Sequence, residues 1–156
     1  MSGKALLSAL VISSFYLAEA AAEERELNKN DVPKAVLEAF ERVHPEAKAV
    51  EYEEKTRGGM PFYELEYKVQ GKEREFIYSA DGTLVEQHEE IDRKDLPEVI
   101  SQAVKKERPQ ATIKEVERIT KSGETIIGYE VEIKDGQQEI ELEFDPTGKP
   151  LKQEQD

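Results

Sequence analysis

The stretch "VPKAVLEAFERVHPEA" (residues 32–47) is echoed 64 positions later by "LPEVISQAVKKERPQA" (residues 96–111). Both begin with an aliphatic residue and proline, and both stop at a second proline followed by an acid or amide and alanine. In the first, Val32, Val36, Leu37, Phe40 and Val43 fall at helical spacing and form one apolar stripe. Asp31 and Pro33 mark the start, because proline's missing N–H would have no partner in a first turn. Pro45 restricts His44 and cannot continue the hydrogen-bond ladder, so the helix ends there. The second stretch repeats this with Asp95, Leu96, Pro97, Val99, Ile100, Ala103 and Val104, stopped by Pro109.

Beyond each helix the apolar period drops to two. "FYELEYKV" sets Tyr63, Leu65, Tyr67 and Val69 against Glu64, Glu66 and Lys68, and "GYEVEIK" sets Tyr129, Val131 and Ile133 against Glu130 and Glu132. "EIELEF" alternates Ile140, Leu142 and Phe144 with Glu139, Glu141 and Glu143. Such alternation marks strands with one buried and one wet face. The aromatics Tyr52, Tyr63, Tyr67, Tyr78 and Tyr129 then read as core residues rather than contact residues. Glycine-bearing turns such as "RGGMP", "VQGK", "SADGT", "KSGE", "KDGQ" and "DPTGK" separate the strands.

One helix and one half-covered sheet of about 60 residues is marginal for a core. The expected fold is therefore α+β, with two tandem helix-plus-four-stranded antiparallel repeats packed into one domain. The repeats run over residues 31–91 and 92–153 and form one continuous or closely abutted antiparallel sheet, and the helices 33–43 and 97–107 lie on its apolar face. The connector "EEIDRK" (89–94) is short and charged.

Residues 1–22 stand apart. Lys4, the 14-residue apolar run "ALLSALVISSFYLA", and Ala20 and Ala22 before the cut have the anatomy of a secretory signal peptide. The run falls short of the roughly 20 residues a membrane span needs, and with no cysteine after it a lipid anchor is excluded. Periplasmic or secreted localisation is expected, with no membrane anchor after cleavage. The chain has no cysteine, so it must hold together by burial without disulfides. Losing the leader removes one acid and one base, Glu19 and Lys4, and leaves the net charge at −13. That charge repels nucleic acid and anionic lipid.

Catalytic signals are absent. No thiol, phosphate loop or HExxH motif occurs, and His44 and His88 each lack a second histidine at ligand spacing. His44 reads as a helix-end residue favoured by the carbonyl dipole, and His88 as a surface strand residue. No catalytic, cofactor-binding or metal residue is assigned. The acids are the unusual feature, and Glu64, Glu66, Glu75, Glu115, Glu130, Glu132, Glu139 and Glu141 form the candidate partner-binding face. If Asp135-Gly136 is a two-residue turn, Glu132 faces Glu139 and Glu130 faces Glu141. Extension through Ser122-Gly123 puts Glu115 beside Glu130. In the first repeat Lys68 faces Glu73 and Glu66 faces Glu75. A basic protein surface is the expected partner of such a face. An envelope small-ligand or divalent-cation module is the alternative, with calcium less favoured because a flat sheet supplies converging oxygens poorly.

The duplicated helix with its proline stop, followed by a Tyr/Glu-alternating hairpin, resembles the PepSY-like family, which is compared with the β-lactamase inhibitory protein. The residues that carry the resemblance are Val32-Pro33, Pro45, Tyr63-Glu64-Leu65, Tyr78 and Asp81-Gly82, then Leu96-Pro97, Pro109, Tyr129-Glu130-Val131, Phe144 and Thr147-Gly148. Thr147 departs from the acid at Asp81. The resemblance implies an exported, non-enzymatic binding or inhibitor-like module without a cofactor, and it names no target. Mass spectrometry of the exported protein is expected to find a mature chain beginning at Glu23; a chain beginning at Met1 or Ser2 would overturn the leader assignment.

Overall fold

The computed structural model describes residues 24–155, so the expected signal peptide lies outside the described residues. The strands are β1 (Glu24–Glu26), β2 (Glu51–Arg57), β3 (Met60–Val69), β4 (Lys72–Ser79), β5 (Leu84–Glu90), β6 (Thr112–Lys121), β7 (Thr125–Asp135), β8 (Gln138–Phe144) and β9 (Pro150–Gln155). They form a single sheet in sequence order, antiparallel throughout. Helices α1 (Lys34–Val43) and α2 (Glu98–Glu107) each follow a single 3-10 turn and a proline at the N-cap.

The expectation of two tandem helix-plus-four-strand repeats is corrected. The described chain is one nine-stranded sheet with only two short helices. Strand β1 adds to the edge at β2, ahead of α1, and falls outside any four-and-four division. The sheet also runs without a break through β5 and β6, which pair from Glu86–Lys121 to Glu90–Glu117. Backbone donors of β5 would be left unpaired if the chain closed into separate units there, and continuing the ladder satisfies them.

Both helices cover the same face. Val36 and Phe40 of α1 pack on Tyr63, Leu65, Tyr67, Phe76 and Tyr78. Ile100 and Val104 of α2 pack on Val116, Tyr129, Val131, Ile133, Ile140, Leu142 and Phe144. Each such aliphatic side chain, taken fully from water, contributes roughly 1.5–3 kcal/mol. Tyr52 is half-buried beside the first cluster, and Val43 proves exposed. Between the two clusters, on this same face by register, Glu89 takes one carboxylate oxygen to Arg74 (2.7 Å) and the other to Arg118, tying β4 to β6.

The turns fix how close the helices come. Gly82, at φ +83°, lies under α1: a Cβ built there would sit 2.5 Å from the carbonyl oxygen of Ala35. Gly71, at the same φ, has open space around it. Gly82→Ala therefore combines left-handed strain with a backbone clash, and a loss of roughly 2–4 kcal/mol is expected in urea unfolding. Gly71→Ala should cost about 1 kcal/mol from strain alone. Equal losses at both sites would remove helix contact as the reason for Gly82.

Candidate functional site

The alternate residues of the same strands form the second face, opposite the two helix-packed clusters, with Ile77 and Ile119 buried within it. Its residues follow from the register. Glu66 stands opposite Glu75, Glu117 opposite both Glu90 and Glu130, Glu115 opposite Glu132, Glu132 opposite Glu141, and Glu130 opposite Glu143. Like charges directly opposed on a sheet face are destabilising by tenths of a kcal/mol or more per pair. Cations lie towards the flanks: Lys55 reaches Glu64 at 2.6 Å, Arg57 reaches Glu86 at 3.0 Å, and Lys68 pairs with Glu73. Seven glutamates, at positions 73, 75, 115, 117, 130, 132 and 141, line a shallow concavity of about 400 Å³. A second concavity of about 600 Å³ adjoins it, lined among others by Lys55, Arg57, His88, Ile119 and Ile127.

His88 sits at the junction. Its side chain is 12% exposed, with Nδ1 3.5 Å from Glu117 and 3.9 Å from Glu75, and Nε2 3.8 Å from Glu86. Burial opposes its charge, but Glu117, Glu86 and Glu75 outweigh burial and hold the ring protonated well above the usual histidine range. Glu86 responds in the opposite sense, held down to about 2 by the imidazolium beside it and by Arg57. Burial, reinforced by Glu64, pushes the Glu75 carboxyl well above the ordinary range against the pull of His88 and Lys55. Glu130 rises to about 7 through burial and the charges of Glu117 and Glu141. Glu115 also rises to about 7, through burial and then Glu90, Glu73 and Glu117.

The expected site residues separate into two groups. Glu66 lies across from Glu75, while Glu75, Glu115, Glu130, Glu132 and Glu141 meet around the concavity. Glu64 is buried and committed to Lys55, and Glu139 lies exposed opposite Lys134, away from the concavity. The expected pairings in the second half are corrected by two residues. Asp135 joins its strand and pairs with Gln138, so Gly136-Gln137 makes the loop, and Glu130 meets Glu143 rather than Glu141. Glu115 meets Glu132 rather than Glu130, because the β6–β7 loop takes Ser122–Glu124 and both strands are bulged. The pairs Lys68–Glu73 and Glu66–Glu75 stand as expected.

The sequence reading leaves His88, Glu117 and Glu73 out of the candidate face, setting Glu73 only against Lys68 and placing His88 at the surface of its strand, where its side chain is in fact mostly buried. The alternation of Glu86, His88 and Glu90 was a signal for one shared face, but only pairing with β4 and β6 shows that His88 has acids on both sides. The other histidine, His44, caps α1, with Nδ1 3.1 Å from the Tyr67 hydroxyl and its ring against Phe76. Burial lowers its pKa, so its place rests on aromatic packing rather than on the charge expected there.

Donor atoms of Glu75, His88 and Glu117 lie within 4.8 Å of one another, as do those of Glu73, Glu115 and Glu117. A protonated imidazole has no lone pair to offer a metal, and Glu73 is already engaged by Lys68. No ion is assigned to either group.

The pH dependence of stability follows from these shifts. Glu115 and Glu130 bind protons more tightly in the folded protein than in the unfolded chain, from an ordinary 4.5 up to about 7. Their contribution is fully present below pH 4.5 and is lost as pH rises through about 7. Glu75 and His88 act in the same direction, so the loss continues above neutrality. The thermal midpoint should fall by roughly 5 °C or more between about pH 5 and pH 8 at constant ionic strength. A midpoint that is flat or rises over that range would refute the upward displacement of these carboxyls.

The comparisons fit this architecture. The family described as "Putative beta-lactamase-inhibitor-like, PepSY-like" matches residues 18–86 and 63–152. A "putative periplasmic" protein of Bacteroides eggerthii superposes with TM-score 0.63 at 15% identity, covering 80% of this chain and 88% of that one. A DUF2874 family protein of Bacteroides uniformis gives 0.61 at 16% identity, covering 79% and 88%. A BLIP-like protein of Bacteroides fragilis gives 0.53 at 18% identity, covering 78% and 84%. At such identities the likeness is one of fold. No curated protein matches, and among the described residues no helix is long and apolar enough to cross a membrane. With its sequence matched from residue 18 to residue 152, the chain belongs to the PepSY-like family.

Proposed function

We propose that this protein is an exported, non-enzymatic binding module that presents the open face of its sheet to a basic protein surface. The observation that supports it best is the concavity lined by seven glutamates, set among carboxylates that oppose one another across neighbouring strands. Such a face carries a cost in the free protein that a cationic partner relieves. It is broad and shallow, a shape suited to a protein surface rather than to a small molecule, which prefers an enclosed pocket. Among the described residues no activated nucleophile is seen, and His88, held as a cation among acids, is a poor general base at neutral pH.

The test is capture from the envelope fraction with the mature chain as bait, followed by affinity measurement on what is captured. The partner should be basic, and its affinity should fall as salt rises. The double variant Glu130→Gln with Glu132→Gln should weaken it by roughly threefold to tenfold. The same variant should melt higher than the parent at about pH 8, because it removes charges facing Glu115, Glu117, Glu141 and Glu143. A partner whose affinity ignores both salt and these changes would show that the face is merely solvated. A stoichiometric, micromolar calorimetric response to calcium would favour the cation-binding alternative instead.

A further inference from the structure

The distribution of charge across the open face has a regulatory consequence for the binding proposed above. Cationic side chains of the neighbouring strands lie around the acids: Lys55 and Arg57 on β2, Lys68 on β3, Lys121 at the end of β6, and Lys152 on β9, which stands opposite Glu143 and lines one hollow with Glu130 and Glu141. His88 is the positive group on the central strand β5. Facing it are Glu73 and Glu75 from β4, Glu86 and Glu90 from its own strand, and Glu115 and Glu117 from β6. Glu130 from β7 and Glu64 and Glu66 from β3 lie around them, with Lys55 of β2 acting on Glu75, and with Glu141 and Glu143 of β8 and Lys152 of β9 beside Glu130. Directly opposite His88 on β6 is Ile119, 3% exposed, which adds apolar surface beside the ring instead of a counter-charge.

Carboxylates held this close, partly shielded from water, cannot all remain ionised cheaply. Coulomb repulsion between neighbours and loss of hydration act together, and taking up a proton relieves both. The backbone register prevents the acids from moving apart, so protonation is the relief that the fold leaves open. We propose that the centre of the open face is a proton-operated switch, in which glutamates around the fixed charge of His88 take up protons in mildly acidic medium and shed them in mildly alkaline medium, so that the face becomes more negative and more receptive to a basic partner as pH rises. The upward displacement of Glu75, Glu115 and Glu130 is consistent with this geometry. The partner-binding half of the proposal rests on the function proposed above; the proton switch itself does not.

The two halves are separated by experiment. Carboxyl carbon NMR of the isolated protein should show Glu75, Glu115 and Glu130 titrating above about pH 6, with His88 still protonated at about pH 8. Glu117→Gln should lower the titration midpoints of Glu115 and Glu130 by removing a negative neighbour of both, and His88→Gln should raise that of Glu75. If His88→Gln does not fold, the Glu117→Gln measurement alone decides. All glutamates titrating below about pH 5, or His88 losing its proton below about pH 7, would overturn the switch.

In the second experiment an oligolysine peptide serves as the probe, measured at about pH 6 and about pH 8 at one ionic strength. Binding should be roughly tenfold tighter at the higher pH. Equal affinity at both would overturn the gating. Shifted titrations with no oligolysine binding at either pH would uphold the switch and count against the basic-partner reading.

Discussion

Two ten-residue helices laid against one face of a nine-stranded sheet leave its other face to water, and the period of two along each strand then assigns every residue a side. Most apolar residues of β3, β4, β7 and β8 go under the helices and most acids go to the open side, the buried Ile77 and Ile119 on the open side and Glu89 on the covered side being exceptions. This single asymmetry fixes both the core and the acidic face. Neither can be altered alone, because a one-residue slip in any strand would exchange them. Gly82 and Gly148 protect the arrangement from the turn side, since each lies so close to a helix that a side chain there would meet Ala35 or Val99.

The open face is held by the ladder rather than by its own side chains. Backbone hydrogen bonds keep Glu117 opposite Glu130, and Glu132 opposite Glu141, whatever their charges prefer. The sheet tolerates this because the apolar clusters beneath outweigh a few tenths of a kcal/mol per repelling pair. Repulsion is therefore stored in the free protein, and three means of relief exist: salt, protons and a cationic partner. His88 supplies part of the compensation from within, and Lys55, Arg57 and Lys68 supply more at the margins. The helix-covered side solves a similar problem differently, with Glu89 shared between Arg74 and Arg118.

Much of this was legible in particular residues. Pro33 and Pro97 announced both helices, and the alternation from Tyr63 to Val69 announced which side of β3 would be buried. The pairs Lys68–Glu73 and Glu66–Glu75 followed from a two-residue turn at Gln70-Gly71. In the second half the same reasoning misplaces the pairs, because it sets the loop at Asp135-Gly136 and the chain turns at Gly136-Gln137. Parity survived a slip of two, so the acids stayed on the correct face while their partners changed.

The sequence by itself determined both helices, the alternating strands that follow each, the side of those strands that is buried and the sign of the exposed face, because these depend on local period and composition; the three-residue edge strand β1 carried no such signal. Only the tertiary structure decided that nine strands form one sheet instead of two repeated units, since that turns on where β5 finds its hydrogen-bond partner. The same pairing decided the role of His88. Its neighbours in sequence are Glu86 and Glu90, but the charges that bury and hold it come also from Glu75 and Glu117 on the flanking strands. Contacts between strands are set by register, and register depends on loop lengths, bulges and the packing of the whole sheet, none of which a single strand encodes.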